Sequence, residues 1–176
     1  MTILRVDGLS KRYPAFCLRD VSFSIEEGRV MGLIGRNGAG KTTTIKSILR
    51  LVRPDGGTVQ FLGKPLDMDA SALRREAGYV SGDLCYYPRK RLSQLTAVTK
   101  SFYPSWDDKK YEALLHRFSL DETKRVCELS AGMKVKYQLA CALSHGAKLL
   151  ILDEPTSGLD PVSRDDLLDL LRTLCE

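Results

Sequence analysis

The residues with the clearest chemical capacity are Gly35-Arg36-Asn37-Gly38-Ala39-Gly40-Lys41-Thr42, with four free positions between a glycine and Gly-Lys-Thr. Glycines at that spacing let the backbone curl so that successive N–H groups point inward at a phosphate. A helix starting at that point adds the positive end of its dipole. Lys41 would reach the β- and γ-phosphates of a nucleotide, and the Thr42 hydroxyl would ligate Mg²⁺. Thr43 follows at the head of the helix and completes the candidate phosphate-binding set. The plainer alternative is a glycine-rich turn beside an exposed lysine. A second chemical group is the acidic pair Asp153-Glu154, which ends the segment opened by Lys148 and continued by the apolar run Leu149-Leu150-Ile151-Leu152. Acids at the carboxyl end of a strand lie where open α/β sheets bind their ligands. Asp153 would hold Mg²⁺ directly or through water, and Glu154 would polarise an attacking water. The competing structural reading has both acids capping the next turn.

These groups need strands and helices to place them. The run Val30-Met31-Gly32-Leu33-Ile34 predicts a buried strand feeding the loop, and residues 43–49 predict the helix leaving it. The run before Asp153 is apolar throughout, which predicts a strand covered on both faces in the middle of a parallel sheet. Segments 2–6 and 21–25 alternate or run apolar and predict strands of an antiparallel, hairpin-rich edge, with a turn at Glu26-Glu27-Gly28. Pro14 biases Tyr13 toward an extended conformation. The tyrosine ring there either stacks on a base or packs in the core. Residues 58–63 predict a further strand, 71–76 a short helix and 77–81 another strand.

The stretch from Gly82 to Cys127 is rich in aromatic residues, including Tyr86, Tyr87, Phe102, Tyr103, Trp106 and Phe118. It reads as helices interrupted at Tyr103-Pro104-Ser105-Trp106, with Tyr111, Leu114, Leu115 and Phe118 at helical spacing. Ser130 is a good N-cap for a helix reaching about Ser144, Gly146 a good stop, and Pro161 a good first residue for the last helix. The fold class expected is α/β: a nucleotide-binding core with a mainly parallel sheet, an N-terminal antiparallel β subdomain and a small helical insertion at about 83–145, all within one domain spanning 1–176.

Composition sets the outer limits. A chain of 176 residues, 43% hydrophobic and 28% charged, has the balance of an ordinary globular domain. No apolar run approaches the ~20 residues that span a bilayer, and the chain opens directly into a strand-like segment rather than a signal peptide. Work at a membrane would require other subunits to hold it there. The net charge of +5 is spread among interleaved acids. The one tight basic cluster, Arg89-Lys90-Arg91, reads as a solvated loop or helix start, so no nucleic-acid partner is expected. Cys17, Cys85, Cys127, Cys141 and Cys175 are odd in number and contain no C-x-x-C pair. They suggest neither a disulfide framework nor a zinc site, and they fit a reducing cytoplasm.

Taken in order, these motifs resemble the nucleotide-binding domain of an ATP-binding cassette (ABC) transporter, a P-loop NTPase, across nearly the whole chain. Gly35 to Thr42 resembles Walker A, and Leu149 to Asp153 with Glu154 resembles Walker B and its catalytic glutamate. Leu129-Ser130-Ala131-Gly132-Met133 resembles the family signature, Ser157-Gly158-Leu159-Asp160 the D-loop, and Tyr13 the aromatic residue that stacks on adenine. The resemblance implies ATP and Mg²⁺ as ligands, catalysis by Lys41, Asp153 and Glu154, and nucleotide contacts from Tyr13, Ser130, Gly132 and Asp160. It implies that the signature helix meets the γ-phosphate held by a second cassette, so that two cassettes close head-to-tail. Transmembrane permease subunits would hold the pair on the cytoplasmic face of the membrane.

Departures accompany the likeness. Ala131 and Met133 replace the usual Gly and Gln but leave the helix N-terminus intact. Gly82 stands where the family has its Q-loop glutamine, and Asp83, a hard oxygen ligand one residue later, is a candidate substitute. The switch histidine falls beyond Glu176, and His116 and His145 both precede the Walker B strand. The chain therefore reads as a C-terminally truncated cassette, expected to bind ATP and to hydrolyse it poorly. The alternative function is a cassette used without transport, in translation or DNA maintenance. About 110 residues separate Lys41 from Asp153 without sustained heptads, too few for the long coiled coil of the chromosome-maintenance type. A kinase or GTPase sharing only the phosphate loop is disfavoured by the signature and D-loop. The Phe102-Tyr103-Pro104-Ser105-Trp106 stretch is either a docking contact or aromatic core.

Overall fold

The computed structural model describes residues 1–66, 70–82 and 87–174. Asp83, Cys85, Tyr86 and Cys175 lie outside the described residues, so the proposed replacement of the Q-loop glutamine by Asp83 has no structural account. Apart from its last few residues, the chain divides into two compact units, Met1–Arg74 and Arg75–Arg172.

The first unit is an antiparallel sheet with one helix against it. β1 (Thr2–Tyr13) pairs with β2 (Phe16–Glu26) on one edge and with β3 (Gly56–Phe61) on the other, and β4 (Lys64–Pro65) adds to β3. Leu4 and Val6 point to the buried face with period two, but the next buried residue is Leu9. A register shift between Val6 and Leu9, where Gly8 takes φ 62°, inserts an extra residue and rephases the strand. The alternation visible in the sequence therefore stops at Val6, while the strand continues to Tyr13. α1 (Lys41–Ile48) covers the sheet with Ile45, Ile48 and the following Leu49, which are buried with Leu18, Val59, Phe61 and Leu73.

The strand predicted over residues 30–34 does not form: the backbone there is irregular, Ile34 is 96% exposed and Val30 74%. Apolar, β-branched composition only favours a pleated surface that a neighbour completes. Among the described residues, this run has no ladder partner.

The second unit joins two parallel strands to a helical cluster. α2 (Ser71–Glu76), whose first four residues belong to the first unit, leads into β5 (Ala77–Ser81), which pairs in parallel with β6 (Leu149–Asp153), Ala77 opposite Leu149 through Ser81 opposite Asp153. β6 was expected in the middle of a sheet. Among the described residues it has β5 as its neighbour, and only Leu149 is fully buried while the rest are half-covered. Between the strands come α3 (Leu92–Ser101), α4 (Asp108–Arg117), a 3₁₀ turn (Val126–Glu128) and α5 (Ala131–Ser144); α6 (Pro161–Thr173) follows β6.

Leu92, Leu95, Tyr111, Leu114, Leu115, Phe118, Val135, Leu139 and Leu143 form one core, with Leu167 and Leu170 of α6. Within it Thr96 Oγ1 lies 2.7 Å from the Tyr111 hydroxyl and 3.1 Å from that of Tyr137, and Tyr111 donates to Glu122 at 3.0 Å. These buried hydroxyls satisfy one another, so the polar groups cost little. Of the interrupting aromatic segment, Phe102 is exposed, whereas Trp106 packs on Tyr111 at 5.1 Å and Tyr103 stacks on His145 at 4.0 Å. Core packing thus holds for Tyr103 and Trp106 and not for Phe102.

α5 lies against β5 at a point only glycine allows. A Cβ on Gly78 would fall 2.4 Å from the Ala142 Cβ and 2.8 Å from Leu150 Cδ2. Gly78→Ala should cost about 1–3 kcal/mol by forcing the helix off the strand, measurable as a lower urea midpoint. The C-cap of α5, His145, is buried, and its Nδ1 meets no partner beyond the residue's own backbone. Burial holds this imidazole below its ordinary value of 6.5. The folded protein therefore binds the proton less readily than the unfolded chain does. The stability that depends on neutral His145 is complete above about pH 6.5 and is lost as pH falls below it. His145→Phe, which keeps a ring against Tyr103, should flatten the fall in thermal stability between about pH 7 and 5.5. An unchanged slope would refute that assignment.

Candidate functional site

In the first unit the phosphate loop is shaped by its own lysine. Lys41 Nζ donates to the carbonyl oxygens of Gly35 at 2.9 Å and Arg36 at 3.2 Å, and Ala39 N–H returns to Arg36 O at 3.0 Å. The ammonium thus ties the start of the loop to the start of α1. Gly40 is the N-cap in the left-handed region, φ 97°, and the cap makes no side-chain hydrogen bond. Thr44 N–H closes the first helical turn onto Gly40 O at 2.8 Å, and the Thr44 hydroxyl reaches the same oxygen at 2.9 Å. Residues 35–39 are exposed, and nothing lies within 4 Å of a Cβ built on Gly38. An uncapped helix end behind an open, glycine-lined loop is suited to an anion.

The loop is seated on the sheet by Phe16, whose Cζ would be 2.8 Å from a Cβ on Gly40, with Leu18 Cδ1 at 2.9 Å. Phe16 also stacks against Tyr13, ring centroids 6.5 Å apart, across the tight turn joining β1 to β2. Tyr13 is 39% exposed, so the core-tyrosine alternative does not hold. Lys11 Nζ sits 5.7 Å from its ring centroid and pairs with Asp55 at 2.9 Å. One chain of contacts therefore runs from Tyr13 through Phe16 to Gly40.

In the second unit the parallel ladder ends at the acids. Gly82 N–H donates to Asp153 O at 3.0 Å, extending the β5–β6 pairing by one residue. The Tyr79 hydroxyl lies 3.4 Å from Asp153 Oδ2; burial and this carboxylate push the phenol above its ordinary value. Glu154 is exposed and takes φ 50°, and its carbonyl accepts from Ser157 N–H at 3.0 Å. The sharp turn after β6 leaves the Glu154 carboxylate in solvent rather than folded back as a cap.

Ser130 caps α5 as predicted, its Oγ accepting from Met133 N–H at 3.2 Å. A Cβ on Gly132 would meet Leu159 Cδ2 at 3.5 Å and Ser163 Cβ at 3.8 Å, and one on Gly158 would meet Ala131 Cβ at 4.0 Å. The start of α5 and the 157–160 loop are therefore in contact. Asp160 caps α6, accepting from Ser163 N–H at 3.0 Å and Ser163 Oγ at 2.6 Å, and these bonds hold its carboxylate below the usual range.

The structure thus brings Tyr13 and the phosphate loop together in one unit. In the other it brings Asp153 next to Glu154, and Ser130 and Gly132 to the loop that ends at Asp160. Three participants escaped the sequence reading: Phe16, Tyr79 and Gln138. Tyr79 looked like an ordinary strand residue, and Phe16 fell in the stretch before the second predicted strand, whereas β2 begins with it. Gln138 carried a weak signal, a polar side chain between the buried Tyr137 and Leu139 of α5.

Residues 18–157 match the family model described as ABC transporter. Over 154 residues the chain is 35% identical to the ABC transporter ATP-binding protein YtrB of Bacillus subtilis, covering 88% of this chain and 52% of that protein. It is 36% identical over 182 residues to the Nod factor export ATP-binding protein I of Burkholderia orbicola, covering 99% and 60%. The chain therefore spans only 52–60% of the length of these curated relatives. Among solved structures it resembles cbiO1 of Clostridium perfringens, part of the ABC transporter complex cbiONQ, with TM-score 0.81 and 27% identity over 99% of this chain and 74% of that one.

The Ser130 cap supports a direct measurement. Ser130→Ala should destabilise the second unit by about 1 kcal/mol, and Ser130→Gly by a few tenths, both read from denaturant unfolding.

Proposed function

Because the chain belongs to the ABC transporter family, whose α/β P-loop NTPase fold it shares, we propose that it is the ATP-binding and ATP-hydrolysing part of a transporter. The observation carrying this reading is the loop that Lys41 draws around itself at the uncapped start of α1. On ATP arrival the loop backbone N–H groups of Asn37, Gly38, Gly40, Lys41 and Thr42 face the phosphates, that of Ala39 joins them by giving up its bond to Arg36 O, and Thr43 lies beside them. Lys41 exchanges its two carbonyl partners for phosphate oxygens, gaining charge-assisted bonds in place of neutral ones. Tyr13, backed by Phe16, offers an exposed ring face for adenine to stack on.

Thr42 and Asp153 are a hydroxyl and a carboxylate, the hard oxygen donors that suit Mg²⁺. When bound, Mg²⁺ would supply charge neutralisation at the phosphates. Glu154 accepts a proton from the attacking water, a role that its exposure to solvent supports. Ser130 and Gly132, at the N-terminus of α5, offer backbone N–H groups to the γ-phosphate held by a second cassette, with Asp160 bordering the same contact. The whole chain, 1–176, acts as one ATP-binding domain with its helical insertion at about 83–145. Two such domains close head-to-tail on ATP and work on membrane permease subunits at the cytoplasmic face. Among the described residues no helix is long and apolar enough to cross a membrane.

Lys41→Ala should weaken ATP binding by about tenfold to a hundredfold, the loss of charge-assisted bonds worth about 1.5–3 kcal/mol. Glu154→Gln should retain binding and lower single-turnover hydrolysis by about a hundredfold or more. Titration with a fluorescent ATP analogue and release of labelled phosphate separate the two effects. Equal loss of binding in both variants would sink the assignment.

A further inference from the structure

We propose that Gln138, in the middle of α5, is a positioning residue for Glu154, acting through Ser81 and Gly82; this rests on the role given to Glu154 above. The carboxamide of Gln138 grips one residue of β5 at both of its backbone groups. Its Oε1 accepts from Ser81 N–H at 3.1 Å, and its Nε2 donates to Ser81 O at 2.8 Å and to Lys134 O at 3.3 Å. Strand β5 has β6 on one edge, and this side chain satisfies Ser81 as a further strand would. The next residue, Gly82, donates to Asp153 O at 3.0 Å.

Gly82 then meets the catalytic turn at a distance no side chain tolerates. A Cβ there would lie 2.6 Å from the Glu154 carbonyl oxygen and 3.8 Å from that of Asp153. Glu154 holds φ 50°, a region that glutamate seldom adopts and that its surroundings must impose. Its carbonyl oxygen lies where a Cβ on Gly82 would clash and accepts from Ser157 N–H at 3.0 Å. Gln138 fixes Ser81, Ser81 fixes Gly82, and Gly82 gives the Glu154 carbonyl its place. The glycine at the position of the family's glutamine is on this account required by the turn: a glutamine restored there would displace Glu154.

The test compares the wild-type chain with Gln138→Met, which keeps length and shape but loses the three hydrogen bonds, and Gln138→Glu, which keeps only the bond from Ser81 N–H. Gly82→Gln is the second, independent variant. Mg²⁺-ATP affinity, single-turnover hydrolysis and amide exchange at Ser157 are measured for each. The expected result for Gln138→Met and Gly82→Gln is ATP affinity within about twofold of wild type, hydrolysis about tenfold or more slower, and faster exchange at Ser157. Gln138→Glu should fall between. Unchanged exchange at Ser157 in Gln138→Met, or hydrolysis restored or raised by Gly82→Gln, overturns the proposal. Loss of ATP binding together with folding in both variants overturns it too, leaving the contacts a structural role alone. If Glu154→Gln hydrolyses as fast as wild type while Ser157 exchange still responds to Gln138→Met, the role of Glu154 fails and the positioning contact stands.

Discussion

The second unit depends on one short ladder, the five parallel pairings from Ala77↔Leu149 to Ser81↔Asp153. Parallel pairs are slightly weaker per residue than antiparallel ones, and this sheet is only two strands wide among the described residues. Its stability has to come from what covers it. α5 supplies that cover in two ways. Gly78 lets the Ala142 methyl approach the strand backbone, and Gln138 bonds to the end of the same strand. The acids at the end of β6 inherit their position from this arrangement, since they begin where the ladder stops.

The first unit solves a similar problem with different means. Its sheet is antiparallel and self-supporting, so the phosphate loop needs anchoring to it rather than cover. Phe16 and Leu18 crowd the one atom that Gly40 lacks, and Lys41 bonds back to Gly35 and Arg36. A loop that is exposed along residues 35–39 thus has fixed ends. Exposure at the centre and restraint at the ends suit a phosphate cradle, because a loop with fixed ends loses little freedom on binding.

Much of this was legible in the sequence because local rules and tertiary packing agree. α2 and β5 have the bounds their patterns predict, Ser130 and Pro161 start their helices, and Tyr111, Leu114, Leu115 and Phe118 face the core at their predicted spacing. The failures arise where a rule needs a partner that sequence does not name. Residues 30–34 carry strand composition, but pairing decides whether a strand exists. The Val6–Leu9 bulge broke the alternation and hid half of β1. At the candidate site, motif residues were visible by type, whereas Phe16, Tyr79 and Gln138 matter only through what they touch. The left-handed backbone of Glu154 was invisible for the same reason, since nothing in a glutamate predicts φ 50°.

α5 gives these contacts a common frame. Its first turn presents Ser130 and Gly132 beside the loop that carries Asp160, and eight residues later, about 12 Å along the axis, Gln138 holds Ser81. A helix whose flanks are buried transmits axial shifts poorly through side chains that can change rotamer, and well through bonds to backbone. The Gln138 contact is of the second kind at both of its atoms, and the Gly82–Asp153 bond that continues it joins backbone to backbone. Moving the start of α5 along its axis while β5 stays fixed would therefore break hydrogen bonds rather than bend side chains. The start of the helix and the turn at Glu154 are held by one set of short, directional contacts, and the glycine at position 82 is what lets those contacts close.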